Sequence, residues 1–439
     1  MPQQSDLESA PGVEGELCFQ FMKRAPGRHL SPGFFHTQVI NKRLWIVDPS
    51  GQPWLSLGVC HISHEGDRTD DGQSPYHDVV SRRHGDSESW ARAQAKRLRQ
   101  WGFNTIGCWS SPQMNSQGLA YTVMLNASTF AGGDWLRNEF PDVFSPAFSA
   151  GVAQAAAEKC APCKADPLLL GYFTDNELDW NGFRRGLTLF DTFLARDAAT
   201  PGKLALVKQL RERYHNDLAA LNAAWDLSLA SFEAILEFKS LQPGPQANAE
   251  TVVADKDAYL RLAARTYFAT CRDAIHAVDP HHMILGVRFA GRAELGVAEE
   301  CGKYVDIVSF NDYNYDVPAD KLWDLARATY RPIMITEWSF KAMDSGLPNL
   351  RGAGVPVVTQ MERAEAYERY TKQALSLPFV VGLHWFQYTD QPIQGRAHDG
   401  ENSNYGLVTI DDEPYVTLVE KMRQVNAQAL TIAGSVRLS

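Results

Sequence analysis

Two short segments, Gly171-Tyr172-Phe173-Thr174-Asp175-Asn176-Glu177 and Ile333-Met334-Ile335-Thr336-Glu337-Trp338, are apolar strand-like runs that each break into a glutamate. A carboxylate at the end of a buried strand is costly to a core and useful to a catalyst. In a (β/α)8 barrel the C-terminal strand ends line the active-site mouth. Two such carboxyls about 5–5.5 Å apart suit cleavage of a glycosidic bond with retention. One attacks the anomeric carbon, while the other protonates the leaving oxygen and then activates water. The nucleophile must be ionised and the acid must hold its proton near neutral pH. Glu337 is expected as the anion, raising the pKa of Glu177 by like-charge repulsion.

Their neighbours suggest a sugar site. Asn176 is an amide beside the acid, suited to a sugar 2-hydroxyl, and Trp385 offers a flat ring as a floor. Tyr313 and Tyr315 compete for one role, a hydrogen bond to the nucleophile. Asp175 is either a support for the acid or a cap. Arg288 fits sugar binding or a rim salt bridge equally, and Trp338 fits sugar contact or rim packing. His61, His64 and Glu65 should reach the mouth, to bind hydroxyls or merely to fill a loop. Their spacing is not His-Glu-x-x-His, so no zinc is expected. Asp390, Gln391, Arg396, Asp399, Glu401 and Asn404 form a polar loop, solvated or turned into the cleft. A lone glutamate after a strand is more often a cap or a loop carboxylate; the conjunction favours catalysis.

The elements that must position these residues recur along the chain. Apolar runs span 55–62, 103–109, 121–125, 168–174, 283–289, 305–310, 332–336 and 380–387. Helix-like stretches at 90–100, 203–225, 258–278 and 363–377 lie between them. Near-continuous apolar runs alternating with helices predict a parallel sheet closed as a (β/α)8 TIM barrel. Glu177 then closes the fourth strand and Glu337 the seventh. The segments 43–47 and 54–57, around a Pro/Gly turn, predict an N-terminal β-hairpin. Residues 181–257 are too long for one connection and read as a helical insertion after strand 4. Residues 1–14 read as a polar tail, and 15–439 as a single catalytic domain.

Composition narrows the function classes. A hydrophobic share of 44% with 21% charged residues is that of a soluble globular chain. The net charge of −10 argues against nucleic acid as a partner. No run is long enough to span a membrane, and the first residues lack a signal-peptide pattern, so a cytoplasmic location is expected. Seven scattered cysteines do not suggest a disulfide framework, and Cys160-Ala161-Pro162-Cys163 reads as a loop with free thiols.

The Asn176-Glu177 pair, with Glu337 downstream, resembles the acid/base and nucleophile motifs of the clan A glycoside hydrolases. The closer likeness is to family-50 β-agarases and family-42 β-galactosidases. It rests on the "GYF-x-DNE" type segment at 171–177 and on Arg213-Tyr214-His215-Asn216-Asp217-Leu218 to Leu221-Asn222-Ala223-Ala224-Trp225. The stretches 384–392 and 402–406 look more agarase-like. The resemblance covers roughly residues 40 to 425. The chain departs from family 50 in showing no extra carbohydrate-binding module, and from some family-42 enzymes in lacking their cysteine metal cluster. The resemblance implies a retaining β-glycosidase acting on β-galactosidic bonds, in agar-type oligosaccharides first and simple β-galactosides second. It requires neither metal nor cofactor. The partner implied is an oligosaccharide, and the sequence permits a homo-oligomer. The rival readings are a β-glucosidase, β-mannosidase or endo-glucanase of the same clan, or a sugar-binding pseudoenzyme.

Overall fold

The eight apolar runs become eight staves of one parallel ring. The computed structural model describes residues 33–291 and 294–435; the tail expected over 1–14 lies outside them. Three antiparallel strands come first, β1 (His36–Ile40), β2 (Arg43–Val47) and β3 (Pro53–Trp54). The ring follows as β4 (Ser56–Val59), β5 (Thr105–Ile106), β6 (Ala120–Met124), β7 (Leu169–Phe173), β8 (Met283–Ile284), β9 (Phe289–Ala290), β10 (Val308–Asn311) and β11 (Ile333–Trp338). A small rim sheet, β12 (Phe340–Ala342) with β13 (Val355–Val357), precedes the last stave, β14 (Val380–Trp385).

The order round the sheet is β8-β7-β6-β5-β4-β14-β11-β10-β9. Strands β8 and β9 are two halves of the fifth stave, one paired with β7 and the other with β10. The linking residues 285–288 close the ring as the expected (β/α)8 barrel. Within the link, the backbone of Leu285 donates to the Tyr172 carbonyl at 2.8 Å and that of Arg288 to Ser309 Oγ at 2.8 Å. The break falls where Gly286 (φ 86°) and Arg288 (φ 51°) enter the left-handed region.

The predicted hairpin is present, extended to three strands by His36–Ile40. It sits at the N-terminal end of the barrel, opposite the candidate site. Buried Arg43 donates to the carbonyls of Leu375 and Val380 at 3.1 and 2.9 Å. Inside the ring, Ser56 Oγ contacts His384 Nε2 at 2.8 Å and Thr105 Oγ1 at 2.9 Å. Burial and then the nearby Arg288 push the His384 pKa down to about 3, so the ring is neutral. Gly58 makes room for this imidazole, since a Cβ there would come 2.5 Å from it.

The helix predicted over 203–225 is two helices, Pro201–Arg213 and Leu218–Trp225. His215 and Asn216 turn left-handed between them, and Asp217 caps the second by accepting from Ala220 N at 3.0 Å. The stretch that supported the family likeness turns out to be structural here. Arg213, Tyr214 and Trp225 all donate to buried Asp255 at 2.6–2.8 Å. Asp255 lies on the 30-residue helix Ala249–Val278 and so ties the insertion to the barrel.

Trp338 follows Glu337 on β11 and is almost fully buried. Its ring stacks on Tyr370 at 4.4 Å and Tyr367 at 5.2 Å, both from the helix Gln360–Leu375. Trp338→Ala should therefore destabilise the fold by about 3–5 kcal/mol in urea unfolding. A loss below about 1 kcal/mol would show that this packing does not anchor β11.

Candidate active site

Both glutamates face one cavity of about 990 Å3 at the C-terminal end of the barrel. That volume is at the upper end of the range for small-ligand sites. Glu337 lies within β11, and Glu177 lies four residues past β7. Glu177 sits at φ 50°, its backbone N–H held by the Arg288 carbonyl at 3.1 Å. Register places Asn311 opposite Glu337, with an irregularity between Phe310 and Asn311.

The two carboxyls have different environments. Glu337 Oε1 accepts from Arg288 Nη2, and its Oε2 accepts from Tyr313 OH at 2.7 Å. Arg288 is fully buried and also donates through Nε to Asn176 Oδ1 at 2.9 Å and through Nη1 to Cys108 Sγ at 3.3 Å. Glu177 accepts one hydrogen bond, from Asn311 Nδ2 at 2.9 Å. Thr336 Oγ1 fixes the Asn311 amide by donating to its Oδ1 at 2.8 Å. Burial first, and the Glu337 charge second, raise the Glu177 pKa to about 7. Repulsion alone was expected; crowding by protein is the larger cause.

Asn176 Oδ1 accepts from both Arg288 and Asn311, which turns its Nδ2 towards the cavity as a donor. Asp175 ties this strand end to the helix Ala127–Phe130. It accepts from Ser128 Oγ at 2.6 Å and Ser128 N at 2.9 Å, and also from Tyr267 OH. Burial raises its pKa to about 6 despite these donors.

The cavity thus gathers Glu177, Glu337, Asn176, Tyr313, His61 and Glu401, with Arg288 behind Glu337. His61 lies 3.8 Å from Asp67 through Nε2, and burial lowers its pKa. Glu401 accepts from Arg396 and Gln391, each at 2.7 Å.

Seven expected binding residues are elsewhere. Trp385 is buried outside the ring, against Trp338 and Tyr367, and donates to the Tyr405 carbonyl at 2.9 Å. Trp338 packs on the same outer face. Tyr315 turns outward to Arg369, whose guanidinium lies 3.7 Å over its ring. His64, on the loop after β4, is buried against His77 and Trp90. Asp390, Gln391 and Asn404 are buried loop braces. Asp390 accepts from Asn404 Nδ2 at 2.9 Å and Gly406 N at 2.8 Å, and Gln391 accepts from Ser403 N at 2.8 Å.

Several lining residues escaped the sequence reading in that role: Asn311, Trp109, Asp67, Phe386 and the rim residues Trp135, Phe183, Arg184 and Lys321. Trp109 and Phe386 supply the flat surfaces beside the acids, edge to face at 6.2 Å, with Arg288 4.6 Å over the Trp109 ring. Asn311 ends β10 and Trp109 follows β5 by three residues, so the rule that found the glutamates would have found them too. The rim residues carry no such signal.

A closed (β/α)8 barrel with glutamates at the ends of its fourth and seventh staves has the architecture of a glycoside-hydrolase catalytic domain. The chain resembles the family-50 β-agarases in sequence and in fold. It is 32% identical over 355 residues to β-agarase B, and 31% identical over 371 residues to β-agarase A, both of Vibrio sp. (strain JT0107). These matches cover 77% and 78% of this chain but only 36% of each relative, so the chain spans about a third of their length. The solved structure of PfGH50B superposes with a TM-score of 0.82 at 25% identity, over 98% of this chain and 73% of that one. An exo-β-agarase gives 0.81 at 24% identity, over 98% and 72%. No family model matches the chain. The likeness to family-42 β-galactosidases is not shown by these comparisons. No described helix is long and apolar enough to cross a membrane.

Removing the Glu337 charge should separate the two causes acting on Glu177. In Glu337→Gln, carbon-13 NMR of the Glu177 carboxyl should find its titration below that of the wild type yet above the free-glutamate value of about 4.3. A fall all the way to that value would mean that burial contributes nothing.

Proposed function

We propose that this chain hydrolyses β-galactosidic bonds in neutral agar-type oligosaccharides by double displacement. The observation that carries the reading is the pair of carboxyls on one cavity, one salt-bridged and the other holding its proton to about pH 7. Glu337 attacks the anomeric carbon as the glycosidic C–O bond breaks, and the leaving oxygen takes the Glu177 proton. The ester that forms removes the Glu337 charge, so Glu177 becomes easier to ionise. It then accepts a proton from water as that water attacks the anomeric carbon and releases Glu337. Tyr313 and Arg288 hold the two carboxylate oxygens in place, and the Asn176 Nδ2 group is the donor for the 2-hydroxyl.

Agar as the substrate class is supported by the relatives named β-agarases. Neutrality is supported by the wall itself. Asp67, Asp175, Asp179, Glu294, Asp399 and Glu401 join the Glu337 carboxylate, against Arg184, Lys321 and Arg396. A sulfated galactan would meet this acidic excess. Trp109 and Phe386 take the platform role first expected of Trp385.

Glu177→Gln should lower kcat on agaro-oligosaccharides by about 10²–10⁴-fold, and Glu337→Gln by at least as much, with binding retained. Turnover equal to wild type would remove the assignment. The first product seen by proton NMR should keep the β configuration; an inverted anomer would replace double displacement by direct attack of water.

The pH profile of wild-type kcat/KM should fall above about 7, as Glu177 loses its proton. Sulfated galacto-oligosaccharides should be cut more slowly than neutral ones of equal length. Equal rates would refute the electrostatic argument while leaving the catalytic pair intact.

A further inference from the structure

Away from the cavity, His64, Glu65 and His77 bring one ligand atom each to within 4.8 Å of one another. Glu65 Oε1 lies 3.5 Å from His64 Nδ1 and 3.6 Å from His77 Nδ1. Those separations are long for hydrogen bonds. They are close to the ~3.3 Å between neighbouring donors on a tetrahedron with bonds of 2.0–2.1 Å. The two imidazoles meet edge to face, 4.8 Å between centroids.

His64 is 8% exposed, and its Nε2 has no hydrogen-bond partner. The nitrogen aimed at Glu65 is the other one, Nδ1, and an ion on it would give this buried ring a partner that the long Glu65 contact does not supply. His77 has a supporting contact of the kind ligating histidines use: its Nε2 lies 3.4 Å from Ser81 Oγ, leaving Nδ1 for a ligand. That Nδ1 also contacts the His64 carbonyl at 3.3 Å, a long contact that a ligated ion would replace. Two imidazoles and a carboxylate are a donor set for zinc. Glu65 and His77 are open enough to solvent for water to take the fourth position.

We infer that His64, Glu65 and His77 form a structural zinc site that clips the loop after β4 to the helix Pro75–His84. That loop also carries Asp67, a cavity-wall residue that accepts from Gln387 Nε2 at 2.9 Å. His64 and Glu65 are adjacent in sequence, and His77 comes from the first turn of the helix. A bound ion would therefore restrain a loop of about a dozen residues whose far side faces the cavity.

The test is Zn2+ titrated into the metal-free full chain by calorimetry, with thermal unfolding followed in parallel. The expected result is one ion per chain and a Tm raised by a few degrees at saturation. Glu65→Gln and His77→Gln replace partly exposed side chains and should fold. Each should weaken binding more than tenfold and abolish the Tm rise. Co2+ in place of zinc should give the visible absorption of a four-coordinate ion in the wild type alone. Failure of the wild type to bind at 100-fold excess of Zn2+, or equal binding by both variants, would overturn the site. Neither readout depends on sugar cleavage.

Discussion

The ion pair between Arg288 and Glu337 constrains everything around it. Arg288 has no contact with solvent, and an unpaired guanidinium there would cost several kcal/mol. Its charge is met by Glu337, by Asn176 Oδ1 and by the faces of Trp109 and Phe173 at 4.6 and 5.2 Å. To reach these partners it must come from inside the sheet, so the fifth stave breaks into β8 and β9 around it. The same guanidinium fixes Asn176, the residue before Glu177, and thus links both carboxyls to one buried cation. Burial of the pair explains why its neighbours, Cys60, Cys108 and Thr336, are small and also buried.

This arrangement works against the stability of the fold. Glu177 binds its proton more tightly when folded than when unfolded. Its contribution to stability therefore declines as pH rises from the ordinary glutamate range to about 7. Backbone strain gathers at the same place. His61, Trp109, Glu177 and Arg288 all take positive φ between 50° and 59°, and none is glycine. Such positions cost of order 1–3 kcal/mol each and cluster at functional sites. The wide apolar barrel and the aromatic layer of Trp338, Tyr367, Tyr370 and Trp385 outside it supply the compensation.

Most of the barrel was legible in the sequence, because buried parallel strands must be continuous apolar runs. All eight predicted runs hold a stave, and a glutamate ending such a run stands out against them. Side-chain direction was not legible. Alternation along β11 turns Glu337 to the cavity and Trp338 away from it. Trp385 pairs in register with Trp338 and therefore also faces outward, leaving Phe386 to face the cavity. Reading that from sequence would require the strand register, which depends on tertiary pairing. The polar loop at 390–404 misled for a related reason. Half of its polar residues brace the loop itself, and composition cannot separate a brace from a ligand contact. The break in the helix at 214–217 was visible only as an Asn-Asp pair inside an otherwise helical pattern.

The broken fifth stave has a further consequence, for which parts of the cleft can vary. Asn176, Glu177, Arg288, Asn311 and Glu337 all stand on staves or within a few residues of their ends, and they hold one another. The rim residues Trp135, Phe183, Arg184 and Arg396 stand on loops that the ring does not need for closure. A change in those loops would reshape the cleft wall and leave the buried cation and its two carboxyls in place.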